Sequence, residues 1–192
     1  MEKSSSRLII GISGASGVIY GVRLLEFLRE AKVETHLIIS PAAEQNIEIE
    51  TEYTISYVKS LATYVYEYSD VAAGPASGSF KTDGMAVIPC SMKTLAGIAL
   101  GYTENLLTRA AIATLKENRR LVLVPRETPL SIIHIQNMLR LARAGAVILP
   151  AMPGFYHRPK TVTQLVDHVV GKVLDVLNIE HELYERWGTG RK

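Results

Sequence analysis

Residues Arg7 to Gly17, Arg-Leu-Ile-Ile-Gly-Ile-Ser-Gly-Ala-Ser-Gly, form an apolar run that stops on glycines and small hydroxyls, and an amphipathic segment, Val18 to Ala31, follows at once. An unalternating apolar run of this length reads as a strand buried on both faces, which calls for a parallel sheet covered by helices. In the next segment Val18, Val22, Leu25 and Leu28 share one helical face, with Arg23, Glu26 and Arg29 elsewhere. A strand that feeds a helix through a glycine turn leaves the first N–H groups of that helix bare, and with the helix dipole they form an anion site that suits a phosphate. Gly11, Gly14 and Gly17 permit positive φ and close approach of a ligand, while the Ser13 and Ser16 hydroxyls add donors. The same glycines suit a plain tight βα turn, and spacing alone leaves the two readings open.

The pattern repeats along the chain. Strand-length apolar runs occur at Leu8–Ile12, His36–Ser40, Met85–Cys90, Leu121–Pro125 and Val147–Met152, separated by helical periodicity at Val18–Ala31, Pro41–Glu48, Leu106–Lys116, Ser131–Ala144 and Val162–Leu177. This alternation predicts a three-layer α/β/α fold with a mostly parallel sheet, Rossmann-like or flavodoxin-like. No repeat, linker or composition break divides residues 1–192, so one domain is expected, closed by an extended tail from about 181 to 192 that carries the sole tryptophan. The stretch from Tyr64 to Asp83, rich in Gly, Ser, Ala and Asp, follows no regular pattern. In open parallel sheets ligands bind beyond the carboxyl ends of the strands. There the chain places Gly11–Gly17, Ser40-Pro41, Pro89–Thr94, Pro125–Pro129 and Pro150–His157.

Composition excludes several classes. Net charge is +2, with no dense Lys/Arg stripe to track a nucleic-acid backbone. A single cysteine precludes an internal disulfide and fits a reducing cytoplasm. No signal peptide is visible, and no apolar run reaches the ~20 residues of a membrane span. The five histidines show no ligand spacing with carboxylates or Cys90, so no metal is expected, and Cys90 reads as a small buried hydrophobe. The apolar share of 47% and a mean hydropathy of +0.14 predict extra buried surface in a large oligomer.

The glycine turn is selective about nucleotides. A dinucleotide fingerprint needs glycine where Ile12 stands and an acid at the end of the second strand, where Ser40 stands. No Lys-Ser/Thr pair follows the glycines, which excludes a P-loop. A mononucleotide phosphate remains. Ser40-Pro41 also has the form of a helix start, serine at the N-cap and proline at the first helical position; Ser91 and Thr94 read equally as caps or as ligand donors.

Taken together, Gly11-x-Ser13-Gly14-Ala15-Ser16-Gly17, Pro89-Cys90-Ser91-x-x-Thr94, Leu121–Glu127, Pro153-Gly154-Phe155-Tyr156 and Arg186-Trp187 fall in an order that resembles the UbiX-like flavin prenyltransferase family, which includes phenolic acid decarboxylase B subunits. The resemblance implies a dodecamer of flavoprotein subunits. It further implies that reduced FMN is prenylated by dimethylallyl monophosphate, at flavin N5 and C6, to give the prenylated FMN used by UbiD-type decarboxylases. By position it assigns FMN to Gly14, Ala15, Ser16, Ser40, Ser91, Met92, Lys93, Thr94 and Arg126. It assigns the prenyl phosphate to Tyr156 and Lys172, with help from Arg109 and Lys116, and the reacting centre to Ser16, Glu50, Glu127 and Trp187. Two departures stand out: Ser91-Met92-Lys93-Thr94 replaces the frequent Ser-Thr-Gly-Thr, and lysine replaces the frequent arginine at 172, keeping the charge without the bidentate fork.

These residue types suit the implied chemistry. A leaving phosphate needs positive charge and hydrogen bonds where its charge grows. Arg109 and Lys116, seven apart on one predicted helix, can face one site, and Tyr156 and Lys172 add a phenol and a further cation. An allylic cation is stabilised by aromatic faces, such as Trp187. Glu127 is placed to relay the proton lost from flavin C6, although an ion pair with Arg126 is the plainer reading of that pair. Two other readings stand beside this one. A flavin-dependent peptidyl-cysteine decarboxylase would use an early histidine base, yet Val18-Ile19-Tyr20-Gly21 follows the glycine turn and no histidine precedes His36. A non-catalytic FMN-binding accessory subunit would not need four groups around a second phosphate.

Overall fold

A computed structural model describes residues 6–188. Six strands, β1 (Arg7–Ile12), β2 (Glu34–Ile39), β3 (Tyr64–Tyr66), β4 (Gly84–Cys90), β5 (Arg120–Pro125) and β6 (Val147–Ile148), form one sheet in the order β3-β2-β1-β4-β5-β6. Every neighbouring pair is parallel, so the mostly parallel sheet expected from sequence is wholly parallel. The helices are α1 (Val18–Glu30), α2 (Pro41–Glu50), α3 (Ile55–Ser60), α4 (Met92–Leu100), α5 (Leu106–Lys116), α6 (Ile132–Arg143) and α7 (Val162–Leu177).

The apolar strands read as two-faced, and each face has its own core. Leu8, Ile10 and Ile12 of β1, Ala86 and Ile88 of β4, and Val122 and Val124 of β5 pack with α1 and α7. The alternate residues Ile9, Met85, Val87, Leu121 and Leu123 pack with α4, α5 and Leu141 of α6. Period-two alternation thus survives inside runs that look uniformly apolar.

Four elements escape the sequence reading. Helix α4 lies in a continuous small-apolar stretch; it is capped by Ser91 and ended by Gly101 in the left-handed region. The three-residue β3 is an exposed edge strand, and α3 is a single short turn of helix capped by Thr54. Within the irregular 64–83 segment a 3₁₀ turn forms at Gly74–Ala76, and the Arg119 guanidinium fixes the rest by donating to the Phe80 and Gly78 carbonyls at 2.6 Å each. The fifth predicted strand, Val147–Met152, shortens to β6, although the Leu149 and Ala151 amides still reach the Leu123 and Pro125 carbonyls at 2.9 and 3.1 Å. Of the expected tail, residues 181–188 lie against α7 and 189–192 fall outside the described residues.

Strand order reverses between β1 and β4. The chain leaves β1 into α1 on one face of the sheet and leaves β4 into α4 on the other, so a crevice opens between the two strand ends.

Candidate active site

Ser13 sets the spacing of that crevice. Its fully buried hydroxyl donates to the Pro89 carbonyl at 3.0 Å and accepts from the Ser91 amide at 2.7 Å. The Ser13 amide reaches the same carbonyl at 3.2 Å. The side chain anticipated as a ligand donor is therefore consumed in joining β1 to β4. The glycines beside it serve different ends. Only Gly17 of the three takes positive φ, +96°, while Gly14 is required because a Cβ there would lie 2.5 Å from the Ala42 methyl of α2.

The anticipated bare helix start at α1 is not bare. Glu50, the last residue of α2, places Oε2 2.7 Å from the Gly17 amide and 3.3 Å from the Val18 amide. A carboxylate of the chain occupies the position expected for a ligand phosphate, where the helix dipole favours negative charge. The donors that remain are the Gly14 and Ser16 amides, which have no protein acceptor among the described residues, and the Met92 and Lys93 amides, which open α4 and so have no acceptor within the helix. Ser40 and Ser91 are both caps, accepting from the Ala43 amide at 3.2 Å and the Thr94 amide at 3.3 Å; Ser91 also donates to the Thr94 hydroxyl at 3.1 Å. Ala15 is buried, its amide turned back to the Ser13 carbonyl at 2.8 Å. A phosphate-bearing group fits the α4 start and the Gly14–Ser16 turn better than the α1 start.

Arg126, just past β5, donates from Nε to the Ser16 carbonyl at 3.1 Å, drawing a third strand end to the glycine turn. Glu127 forms no ion pair with it among the described residues: its Oε1 accepts from the Thr128 amide at 3.1 Å. The ion-pair reading of Arg126-Glu127 falls, and both charges remain at the crevice mouth.

Past β6 the chain builds an aromatic corner. Tyr156 meets Trp187 edge-to-face with centroids 5.4 Å apart, and His168 of α7 at 5.7 Å. His157 stacks parallel on His168 at 5.2 Å. The Gly154 amide donates to His168 Nδ1 at 3.2 Å, so the neutral ring carries its proton on Nε2. Burial first, then His157 and Lys172, lower the His168 pKa below its ordinary value. Lys172 approaches Asp175 at 3.5 Å, and Asp175 also receives His181, Tyr184 and Arg186. Sequence reading missed Asp175; the signal was its helical spacing from His168 and Lys172 (168, 172, 175), which puts all three on one face of α7.

Among the described residues no hydrogen bond or ion pair joins Arg109 or Lys116 to this group. Both are exposed on α5, and Lys116 lies 3.6 Å from Glu117. That end of α5 sits by Arg120, at the start of β5, a strand length of ~20 Å from the crevice. Cys90 is buried, and burial pushes its thiol far above the usual range, which suits packing rather than nucleophilic attack. Among the described residues no three His, Cys, Asp or Glu side chains converge as a metal site, and no helix is long and apolar enough to cross a membrane.

A parallel sheet with a crevice at its switch point, lined by a glycine turn and hydroxyl-capped helix starts, defines a mononucleotide-binding α/β protein. Comparison narrows the class. The family model for flavoproteins matches residues 1–187. A probable UbiX-like flavin prenyltransferase of Bacillus subtilis is 53% identical over 181 residues, 94% of this chain and 89% of the relative. The crystal structure of AnUbiX (PadA1) in complex with FMN and dimethylallyl pyrophosphate superposes with a TM-score of 0.95 at 48% identity, covering 97% of this chain and 100% of that one. A dodecameric FMN-dependent UbiX-like decarboxylase from Escherichia coli O157:H7 gives 0.92 at 54% identity, covering 94% and 98%. The chain belongs to the UbiX-like flavin prenyltransferase family of flavoproteins.

Proposed function

We propose that this protein is a flavin prenyltransferase that acts as one flavoprotein domain. It moves a dimethylallyl group from dimethylallyl monophosphate to N5 and C6 of reduced FMN and hands prenylated FMN to a UbiD-type decarboxylase. The observation that carries the proposal is the Arg126–Ser16 contact, 3.1 Å, which turns the end of β5 and the amide-rich turn of β1 toward one crevice. On the β1 and β4 side, amides and hydroxyls of Gly14, Ser16, Ser40 and Ser91–Thr94 suit the flavin phosphate. On the β5–β6 side, Tyr156 and Lys172 suit a second phosphate. Bound flavin supplies the nucleophilic nitrogen and carbon of the reaction. Lys172, kept at this corner by its 3.5 Å contact with Asp175, neutralises charge growing on the departing phosphate, and the Tyr156 hydroxyl donates to it. Trp187 offers a π face to the allylic cation. Glu127 takes up the proton lost at C6, while Glu50 holds the turn that presents Ser16.

Arg109 and Lys116 serve the same phosphate from a neighbouring copy. The similarity to a dodecameric relative supports this, as does the apolar face of α6, where Ile132 and Ile133 are 67% and 63% exposed. A lone buried thiol and a chain without acidic or basic runs suit a cytoplasmic location. Crystals soaked with FMN and dimethylallyl monophosphate test the arrangement. Density for both compounds, the flavin phosphate at the α4 start and the prenyl phosphate at Tyr156 and Lys172, supports it; a second pocket filled by protein side chains would end it.

A further inference from the structure

Among the described residues, three side chains of the C-terminal tail converge on one carboxylate of α7. Asp175 Oδ1 accepts from Arg186 at 2.7 Å and from His181 at 3.1 Å, while Oδ2 takes the Tyr184 hydroxyl and Lys172. Three of these four partners belong to the tail. The fourth, Lys172, is one of the two groups placed at the prenyl phosphate. The tail also seats closely: a Cβ at Gly171 would lie 2.5 Å from the Tyr184 ring and 2.7 Å from His181, so the glycine is what lets the two rings lie on the helix. Burial alone would favour the neutral acid, yet hydrogen bonds from Arg186, Tyr184 and His181 together hold Asp175 well below the usual carboxylate range. The residue after Arg186 is Trp187, whose ring meets Tyr156 edge-to-face at 5.4 Å.

We infer that Asp175 is a positioning residue for the prenyl-transfer site: by gripping Arg186, Tyr184 and His181 it sets Trp187 on Tyr156, and by holding Lys172 it keeps that cation beside the same corner. Asp175 itself touches no reacting atom. The inference rests on the reading of Tyr156 and Lys172 as prenyl-phosphate ligands, but the latch can be measured without activity. Trp187 is the only tryptophan, so its fluorescence anisotropy reports the tail alone.

The test compares wild type with Asp175→Asn and with Arg186→Gln, which cuts the latch from the exposed side should the first variant fold poorly. With the latch broken, tryptophan anisotropy falls and acrylamide quenching rises. KM for dimethylallyl monophosphate rises about tenfold, as expected for loss of charged hydrogen bonds, and FMN retention is unchanged. Folded variants with wild-type anisotropy overturn the latch. A fall in anisotropy with unchanged KM and kcat overturns the positioning role. If wild type transfers no prenyl group, the activity reading fails and the anisotropy arm still decides the latch.

Discussion

The Glu50 carboxylate lies 2.7 Å from the Gly17 amide and caps α1 from 33 residues away. The helix start that most resembles a phosphate site is thereby already served by the chain's own negative charge. Under the proposed function the flavin phosphate goes to the α4 start, and Glu50 is held at the crevice by its contacts with the Gly17 and Val18 amides.

Glu50→Ala removes that cap and leaves two N–H groups at the positive end of α1. Stability should fall by a few tenths to about 1 kcal/mol, measured by urea denaturation. The variant should also gain affinity for inorganic phosphate, measured by calorimetry, because the freed amides suit an anion. Prenyl transfer should drop more than flavin binding.

Ser13→Ala should be costlier than its size suggests. The lost hydroxyl leaves the partly buried Ser91 amide without its 2.7 Å acceptor, a penalty of about 1 kcal/mol in unfolding free energy. Because the β1–β4 gap is also loosened, FMN should be lost on gel filtration. Wild-type flavin retention would remove Ser13 from the support of the site.

The pH dependence follows from His168. Its folded pKa lies below the ordinary 6.5, so below pH 6.5 the unfolded chain binds a proton that the native ring resists. Stability is therefore complete above that value and declines as pH falls toward the native pKa. Protonation also places hydrogen on Nδ1, the atom that accepts from Gly154. His168→Asn should flatten the stability profile below pH 6.5, measured by urea midpoints. A residual slope should persist, since burial also depresses His36.

The apolar face of α6 should be an assembly surface. Ile132→Glu combined with Ile135→Glu, one turn apart at positions 67% and 48% exposed, should yield a smaller species in sizing chromatography with light scattering. Near-unchanged monomer secondary structure is expected, since α6 buries only Leu141.

What could be read from the chain followed local physics. The β5 run ends at Pro125, β4 ends one residue past Pro89 and β1 stops two residues before Gly14; α7 carries a clean apolar stripe, and Ser40-Pro41 is a helix start in any context. Helix α4 was hidden because Leu95 to Leu100 is small or apolar at every position and so offers no period to read. The roles of Glu50 and Ser13 were hidden for another reason. Each depends on which distant amide or side chain the fold brings near, 33 residues away for Glu50 and 78 for Ser13. Gly14 shows the same limit: its need for a missing Cβ arises from packing against Ala42, and nothing in the glycine spacing reveals it.

The central claim is that one crevice grips a flavin phosphate through main-chain amides and a prenyl phosphate through side chains, so that the two react. Mass spectrometry of the flavin, after incubation of the protein with reduced FMN and dimethylallyl monophosphate, tests this directly. The account predicts a gain of one C5 unit on the flavin with one inorganic phosphate released per flavin. Unchanged FMN with both compounds bound would contradict it.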